Sequence, residues 1–409
     1  MCPRAESALI PLALLALWTL AGCGGDDAGG ASQAVVDTLE SGAIRVRNVA
    51  AGAWAPGAGW RAVEMARIGA VDGDDPAYLF GDIVDITLDG LGRIWVLDRL
   101  AKQLRVFDSA GAHLRTIGRE GGGPGEFREP TGLAWGPEGH LWVIDVRNAR
   151  YSLFDTAGAL VTTHPRQIGG YGLPWGGGFD PSGRLLEPSY FRDPVSGESR
   201  QVLVRQAVGP GPTAADTFDL PRVARADLAG YSYRVDLPGG GYAIYRVPFT
   251  PEGIWRLDRR GRLWFAATDR YRLHRLSLAG DTLLIVEKPW DPIPVTPADL
   301  QSVRERYTRL TAAQLDELIA LVPATKPAFE SFVVDDSGHV WVARPAGAAG
   351  APATGRAFDV FDPGGVYLGE LAAEIATFPP PRIIGDRMVG VTRGELDTPQ
   401  IVLYRIEGR

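Results

Sequence analysis

Six arginines recur at one place in the repeating text of this chain: Arg99, Arg147, Arg192, Arg270, Arg344 and Arg393. Each follows a short apolar stretch and would stand on the loop that leaves it. A guanidinium presents a planar fork of donors suited to carboxylates, sulfates and phosphates. Gathered round one mouth, the six would form a positive funnel on a chain of net charge -7. The alternative is solvated surface charge, or local pairing with Asp98, Asp145, Asp193, Asp269 and Asp397. A second set, Asp82, Glu129, Glu252 and Glu330, carries hard oxygen ligands of the kind Ca²⁺ takes. The two sets compete, because an uncompensated ring of arginines repels a divalent cation.

Other chemistry is thinly supplied, and no catalytic residue is assigned. The five histidines, His113, His140, His164, His274 and His339, show no metal-ligand spacing. His140 and His339 occupy the repeat slot held elsewhere by Arg93, Arg184 and Arg262, which marks a structural, outward-facing position. No G-x-S-x-G elbow occurs, and the glycine run at 121–125 precedes neither a helix nor a Lys-Ser/Thr pair. The net charge of -7, with no long basic run, argues against a nucleic-acid surface. An aromatic residue stands 15 positions ahead of a repeated tryptophan slot at Phe80, Phe127, Tyr171 and Phe249, with Phe329 and Phe378 at shorter offsets. Such rings would plug the gaps between units, or else rim a pocket for an apolar or sugar ring.

The elements that position these residues follow from one phrase. GRIWVLD at 92–98 returns as GHLWVID (139–145), GRLLEPS (183–189), GRLWFAA (261–267), GHVWVAR (338–344) and a worn DRMVGVT (386–392). The tryptophan slot holds Trp95, Trp142, Leu186, Trp264, Trp341 and Met388, at intervals of 47, 44, 78, 77 and 47. Four-stranded propeller blades take about 40–50 residues each, so the two long intervals read as a blade plus an insertion. Around each phrase, period-two alternation is bounded by Gly, Asp and Pro clusters, as in antiparallel hairpins. The expected fold is an all-β, six-bladed propeller of four-stranded blades. The last unit lacks a strand, and WRAVEMARIGA at 60–70 has the character to supply it and close the ring.

Two insertions break the repeat. TPADLQSVRERYTRLTAAQLDELIALV (296–322) predicts a short helical pair, with Thr296 as N-cap before Pro297 and a second start at Thr311. YSYRVDLPGGGYAIYRVPF (231–249) predicts an added hairpin.

The N-terminus is a different kind of signal. The apolar run from Ala8 to Leu20 is too short to span a bilayer and suits a signal-peptide core. It ends in Leu20-Ala21-Gly22-Cys23, which resembles the lipobox of bacterial lipoproteins. That resemblance implies a signal peptide at 1–22 and a diacylglycerol thioether on Cys23. With Cys2 removed and Cys23 acylated, the chain has no thiol left for a disulfide, a metal site or a nucleophile. Gly24 after Cys23 is compatible, by the same resemblance, with outer-membrane sorting. Residues 23–45 then read as a flexible tether, and 46–409 as the propeller.

GREGGGPGEFREPTGLAWGPEGHLWVIDVRNARYSLFDTAGALV (118–161) resembles an NHL-type repeat, from its glycine-rich start to the closing FD-x-x-G. The whole of 60–409, with PFTPEGIW (248–255) and PATKPAFESF (323–332), is similar to the six-bladed NHL-like propeller lipoproteins of Gram-negative bacteria. The resemblance implies a site at the central channel, on the face built by the loops entering strand one and those joining strands two and three. The resemblance says little of function; with the arginine set, the expected role is a lipid-anchored scaffold at the cell envelope that binds an anionic small molecule or an envelope protein, with no cofactor. The alternative is a calcium-dependent lactonase-like hydrolase, or an NHL-type lyase, working in the channel.

Overall fold

The computed structural model describes residues 34–49, 51–167, 169–170, 172–192, 197, 199–208, 215–221, 231–237, 239–348 and 355–409. Cys23, Tyr171 and Asp193, singled out above, lie outside them.

Each repeat folds as an antiparallel four-stranded sheet, and there are six, so the chain is an all-β six-bladed propeller with two short helices. Blade one runs through Ile83–Leu88, Ile94–Asp98, Gln103–Phe107 and His113–Ile117. The first strands of the other blades are Pro130–Trp135, Gly178–Phe179, Gly253–Leu257, Ser331–Val334 and Arg382–Ile384. The sixth sheet is completed by Arg61–Ile68, which pairs antiparallel with Pro399–Glu407 from Glu407↔Arg61 to Ile401↔Ile68. The ring therefore closes as the 60–70 segment predicts.

A local device explains why the phrase recurs. Asp89 accepts from the backbone N–H groups of Leu91 and Arg93 at 2.9 Å, from Arg93 Nε at 2.6 Å and from Trp95 Nε1 at 3.0 Å. Asp258 repeats the pattern with Arg262 at 2.6 Å and Trp264 at 3.3 Å, and Asp335 with His339 and Trp341. One carboxylate thus fixes the turn, the residue after Gly and the indole. Blade two has Gly136 at this position, and there Trp142 Nε1 has no hydrogen-bond partner among the described residues. The six slot residues are buried in the blade cores, each worth about 1.5–3 kcal/mol of transfer energy.

The expected tether at 23–45 is corrected over its second half. Ala34–Thr38 and Ile44–Asn48 form a hairpin, and its second strand runs parallel to Thr282–Glu287, extending blade four to six strands. Val46 is buried in the core shared with blade five. Asn48 donates Nδ2 to the carbonyls of Glu287 (3.0 Å) and Gly365 (2.9 Å) and accepts from the Tyr367 N–H at 2.7 Å. The apolar alternation here is only a few residues long and sits beside glycine- and aspartate-rich text, which hid it. The hairpin strand Ala34–Thr38 is thus already joined to the propeller, ahead of residue 46.

Both insertions fold as predicted and pack on each other. Ser232–Asp236 pairs with Tyr242–Arg246, and helices α1 (Pro297–Arg306) and α2 (Ala312–Ala320) each start in a capping box, at Thr296 with Asp299 and at Thr311 with Gln314. Val235, Val247, Leu310 and Leu318 bury the contact between hairpin and helices. Tyr233 donates its hydroxyl to Glu317 at 2.7 Å.

Candidate functional site

The channel mouth opens as a cleft of about 390 Å³ on the face expected for ligands. Its walls come from residues leading into the first strands of four blades: Trp175 and Gly176, Glu252 and Gly253, Glu330 and Ser331, and Thr377 and Phe378. Ser189 and Tyr190 add a fifth wall from the long second strand of blade three. The volume falls within the usual range for small-molecule sites.

At its base lies Arg256, on the first strand of blade four. Its Nη1 donates to the Trp255 carbonyl at 2.9 Å and its Nη2 to Ser331 Oγ at 3.3 Å, while Nε has no partner. Among the described residues it forms no ion pair with a carboxylate. Burial, and then the positive charge of Arg382, pull its pKa down to about 10 against the pull of Glu252. It stays protonated at neutral pH. Arg382, from the first strand of blade six, is anchored 3.0 Å from the buried Asp85 of blade one, which also accepts from the Leu133 N–H of blade two at 2.8 Å. Of these two guanidinium groups Arg382 has a carboxylate partner and Arg256 has none among the described residues.

Arg256 also breaks the repeat. The residue opposite the tryptophan slot is Thr87, Ala134, Gly178, Val333 and Ile383 in the other five blades, and in blade four it is Arg256, opposite Trp264. A small or apolar residue is the norm there. A charged residue in that slot is the sequence signal that a reading of loop arginines passes over.

A second buried group fixes one wall. Glu187 accepts from Tyr151 Oη at 2.7 Å, Arg166 Nη2 at 2.6 Å and Trp175 Nε1 at 3.0 Å. Burial raises its carboxyl despite the Arg166 charge. The indole of Trp175 is therefore held rigidly at the cleft wall.

The six loop arginines do not gather at this mouth, and none lines the cleft. Arg99 pairs with Asp82 at 2.6 Å, Arg270 with its neighbour Asp269 at 3.0 Å, and Arg393 with Asp397 at 3.8 Å. Arg344 turns to Glu370 on the outer strand of blade five. Arg147 and Arg192 are exposed. For the four paired arginines the reason is local: a carboxylate within reach on the same blade captures the charge before it can face the channel. Asp98 and Asp145 are not such partners. They are fully buried and accept backbone N–H groups from the loop entering strand one, Gly81 and Asp82 in blade one, Arg128 and Glu129 in blade two.

The alternative calcium set is also dispersed. Among the described residues no three His, Cys, Asp or Glu side chains come together as a metal-binding group. Asp82 is committed to Arg99, Glu252 to Arg246, and Glu330 to Arg356 at 2.6 Å. Glu129 is half-buried in blade two and outside the cleft lining.

The aromatic series divides in two. Phe127 and Phe329 are fully buried between neighbouring blades, and Phe80 packs beneath Arg105. Phe249 lies under the Lys326 ammonium, 5.6 Å from its ring centre. Among the described members of the series Phe378 alone lines the cleft, and it is 51% exposed.

A protein family described as a six-bladed β-propeller matches residues 76–159, which cover blade one and the first three strands of blade two. No curated protein matches the chain. Among solved structures, a Bacteroides fragilis NCTC 9343 protein named as exported is similar at 12% identity, over 85% of this chain and 95% of that one, with a TM-score of 0.46. Virginiamycin B lyase from Staphylococcus aureus matches at 12% identity over 84% and 99%, with a TM-score of 0.41. The calcium-binding protein regucalcin from Agrobacterium tumefaciens C58 matches at 15% identity over 85% and 96%, with a TM-score of 0.34. These likenesses assign no ligand and no reaction, and the blade count rests on the strand pairing itself.

Proposed function

We propose that this propeller is a binding module that holds an anionic small molecule at its channel mouth, with Arg256 as the anchor. The observation that carries the reading is a protonated guanidinium in a cleft, unpaired with any carboxylate among the described residues. A desolvated cation of this kind gains most from a ligand anion, because charge-assisted hydrogen bonds strengthen where water is scarce. The walls are rigid strands and a clamped indole, so little ordering opposes binding.

The module works at the cell envelope of a Gram-negative bacterium, attached through a lipid on Cys23. The apolar run Ala8–Leu20 and the Leu20-Ala21-Gly22-Cys23 motif support that placement. No helix among the described residues is long and apolar enough to cross a membrane. Converting Cys23 to serine should remove the diacylglycerol mass from the mature chain and release it from membranes. Undiminished membrane attachment in that variant would contradict the lipid anchor.

The ligand reading is tested by thermal unfolding of the full chain with small carboxylates, inorganic phosphate, Ca²⁺ and EDTA. Any species that binds only the folded chain raises the midpoint by mass action. A rise with carboxylates that Arg256→Gln abolishes is expected. A rise with Ca²⁺ alone, reversed by EDTA, would replace this reading with the calcium-dependent one.

A further inference from the structure

We infer that the ligand is a monocarboxylate carried on a flat-faced ring. This deepens the anion-binding reading and rests on it. The same cleft that contains Arg256 is walled by four aromatic side chains, Trp175, Tyr190, Trp255 and Phe378, with Leu220 and Ile254 between them. Two of these rings stand open at the mouth, Tyr190 at 58% and Phe378 at 51% exposure. Exposed aromatic rings around a cleft offer flat apolar faces whose natural partner is another flat face.

The loop entering blade three is built to seat three of the four rings. A Cβ on Gly170 would stand 2.9 Å from the Tyr190 ring, and one on Gly176 would stand 3.1 Å from the Trp255 indole. A Cβ on Gly177 would run into the Trp175 indole. Glycine at these places lets each ring bed directly on backbone. Since Trp175 is also clamped by Glu187, this part of the aromatic wall is fixed before any ligand arrives.

The charge count sets the valence of the anion. Glu252 and Glu330 stand at the rim, and each is already balanced by an arginine, Arg246 and Arg356. Among the described residues Arg256 is left as the one unbalanced charge in the lining. A phosphate dianion would bring one negative charge more than this single guanidinium offsets, whereas a carboxylate matches it.

The test is isothermal titration of the full chain with acetate, cyclohexanecarboxylate, benzoate, glucuronate, benzamide and inorganic phosphate. Benzoate or glucuronate should bind at least about fivefold tighter than acetate, a factor in line with one aromatic contact. The ratio between the two then separates an aromatic ring from a sugar ring. Benzamide, which has the ring without the charge, should bind at least about tenfold more weakly than benzoate. The double variant Tyr190→Ala, Phe378→Ala removes only exposed rings and should fold; it should lower the ratio of benzoate to acetate affinity below that of the parent chain. Equal affinity for acetate and the ring acids, or a preference for phosphate, would overturn the ring carboxylate while leaving an anion site standing. Failure of every carboxylate to bind, with Arg256→Gln indistinguishable from the parent chain, would overturn the anion reading itself.

Discussion

Asn48 and Tyr367, remote in sequence, are joined by a 2.7 Å hydrogen bond from the Tyr367 N–H to the Asn48 side-chain carbonyl. With the two bonds from Asn48 Nδ2 to Glu287 and Gly365, this side chain stitches the N-terminal hairpin across the seam between blades four and five. Asn48→Ala leaves buried backbone groups unpaired, and each net bond is worth about 1 kcal/mol. We expect a loss of about 2–3 kcal/mol in urea unfolding with the slope unchanged. An unaltered midpoint would mean that the hairpin does not hold this seam in solution.

Acid stability should depend on Arg409. Burial alone would raise the Asp335 carboxyl, but hydrogen bonds from His339 and Trp341 and the Arg409 charge outweigh it and hold the group below its ordinary value. A carboxylate depressed in the folded state stabilises it above the unfolded pKa, and that contribution is lost as pH falls below about 4. Arg409→Ala weakens the depression, so the acid unfolding midpoint should move to higher pH. Stability at pH 7 should fall as well, since the ionised form loses its partner. A shift of the acid midpoint to lower pH would contradict the assignment.

The ring closure, the helical pair and the added hairpin were legible because their signals are local. An Asp, a Gly four or fewer residues on and an indole two or three beyond that form one hydrogen-bonded turn, so the turn leaves a phrase in the sequence wherever it occurs. The site left no phrase. Its lining comes from four blades with unequal insertions between them, so Arg256, Ser331 and Phe378 share no spacing. The loop arginines did recur, each a few residues after the slot, and the recurrence misled, since what returns in every blade of a propeller is what each blade needs for itself. The departure from the repeat, Arg256 where other blades place Thr87, Ala134 or Val333, is where individuality shows.

Two phenylalanines from one aromatic series should behave oppositely. Phe127 is fully buried between blades one and two, and Phe127→Ala should cost about 3–5 kcal/mol. Phe378 is half-exposed at the mouth, and Phe378→Ala should stay within about 0.5 kcal/mol of the parent chain. Chemical denaturation of the two variants checks both values. A large stability loss from Phe378→Ala would return that ring to a packing role.

The most direct measurement is the affinity of benzoate for four full chains: the parent, Arg256→Gln, Arg256→Lys and Arg147→Gln. The account predicts that the parent and Arg147→Gln bind alike. Arg256→Gln should weaken binding at least about tenfold, as loss of a charge-assisted pair requires, and Arg256→Lys should fall between. Arg256→Gln binding as tightly as the parent, or Arg147→Gln losing affinity in its place, would contradict the channel guanidinium as the anchor.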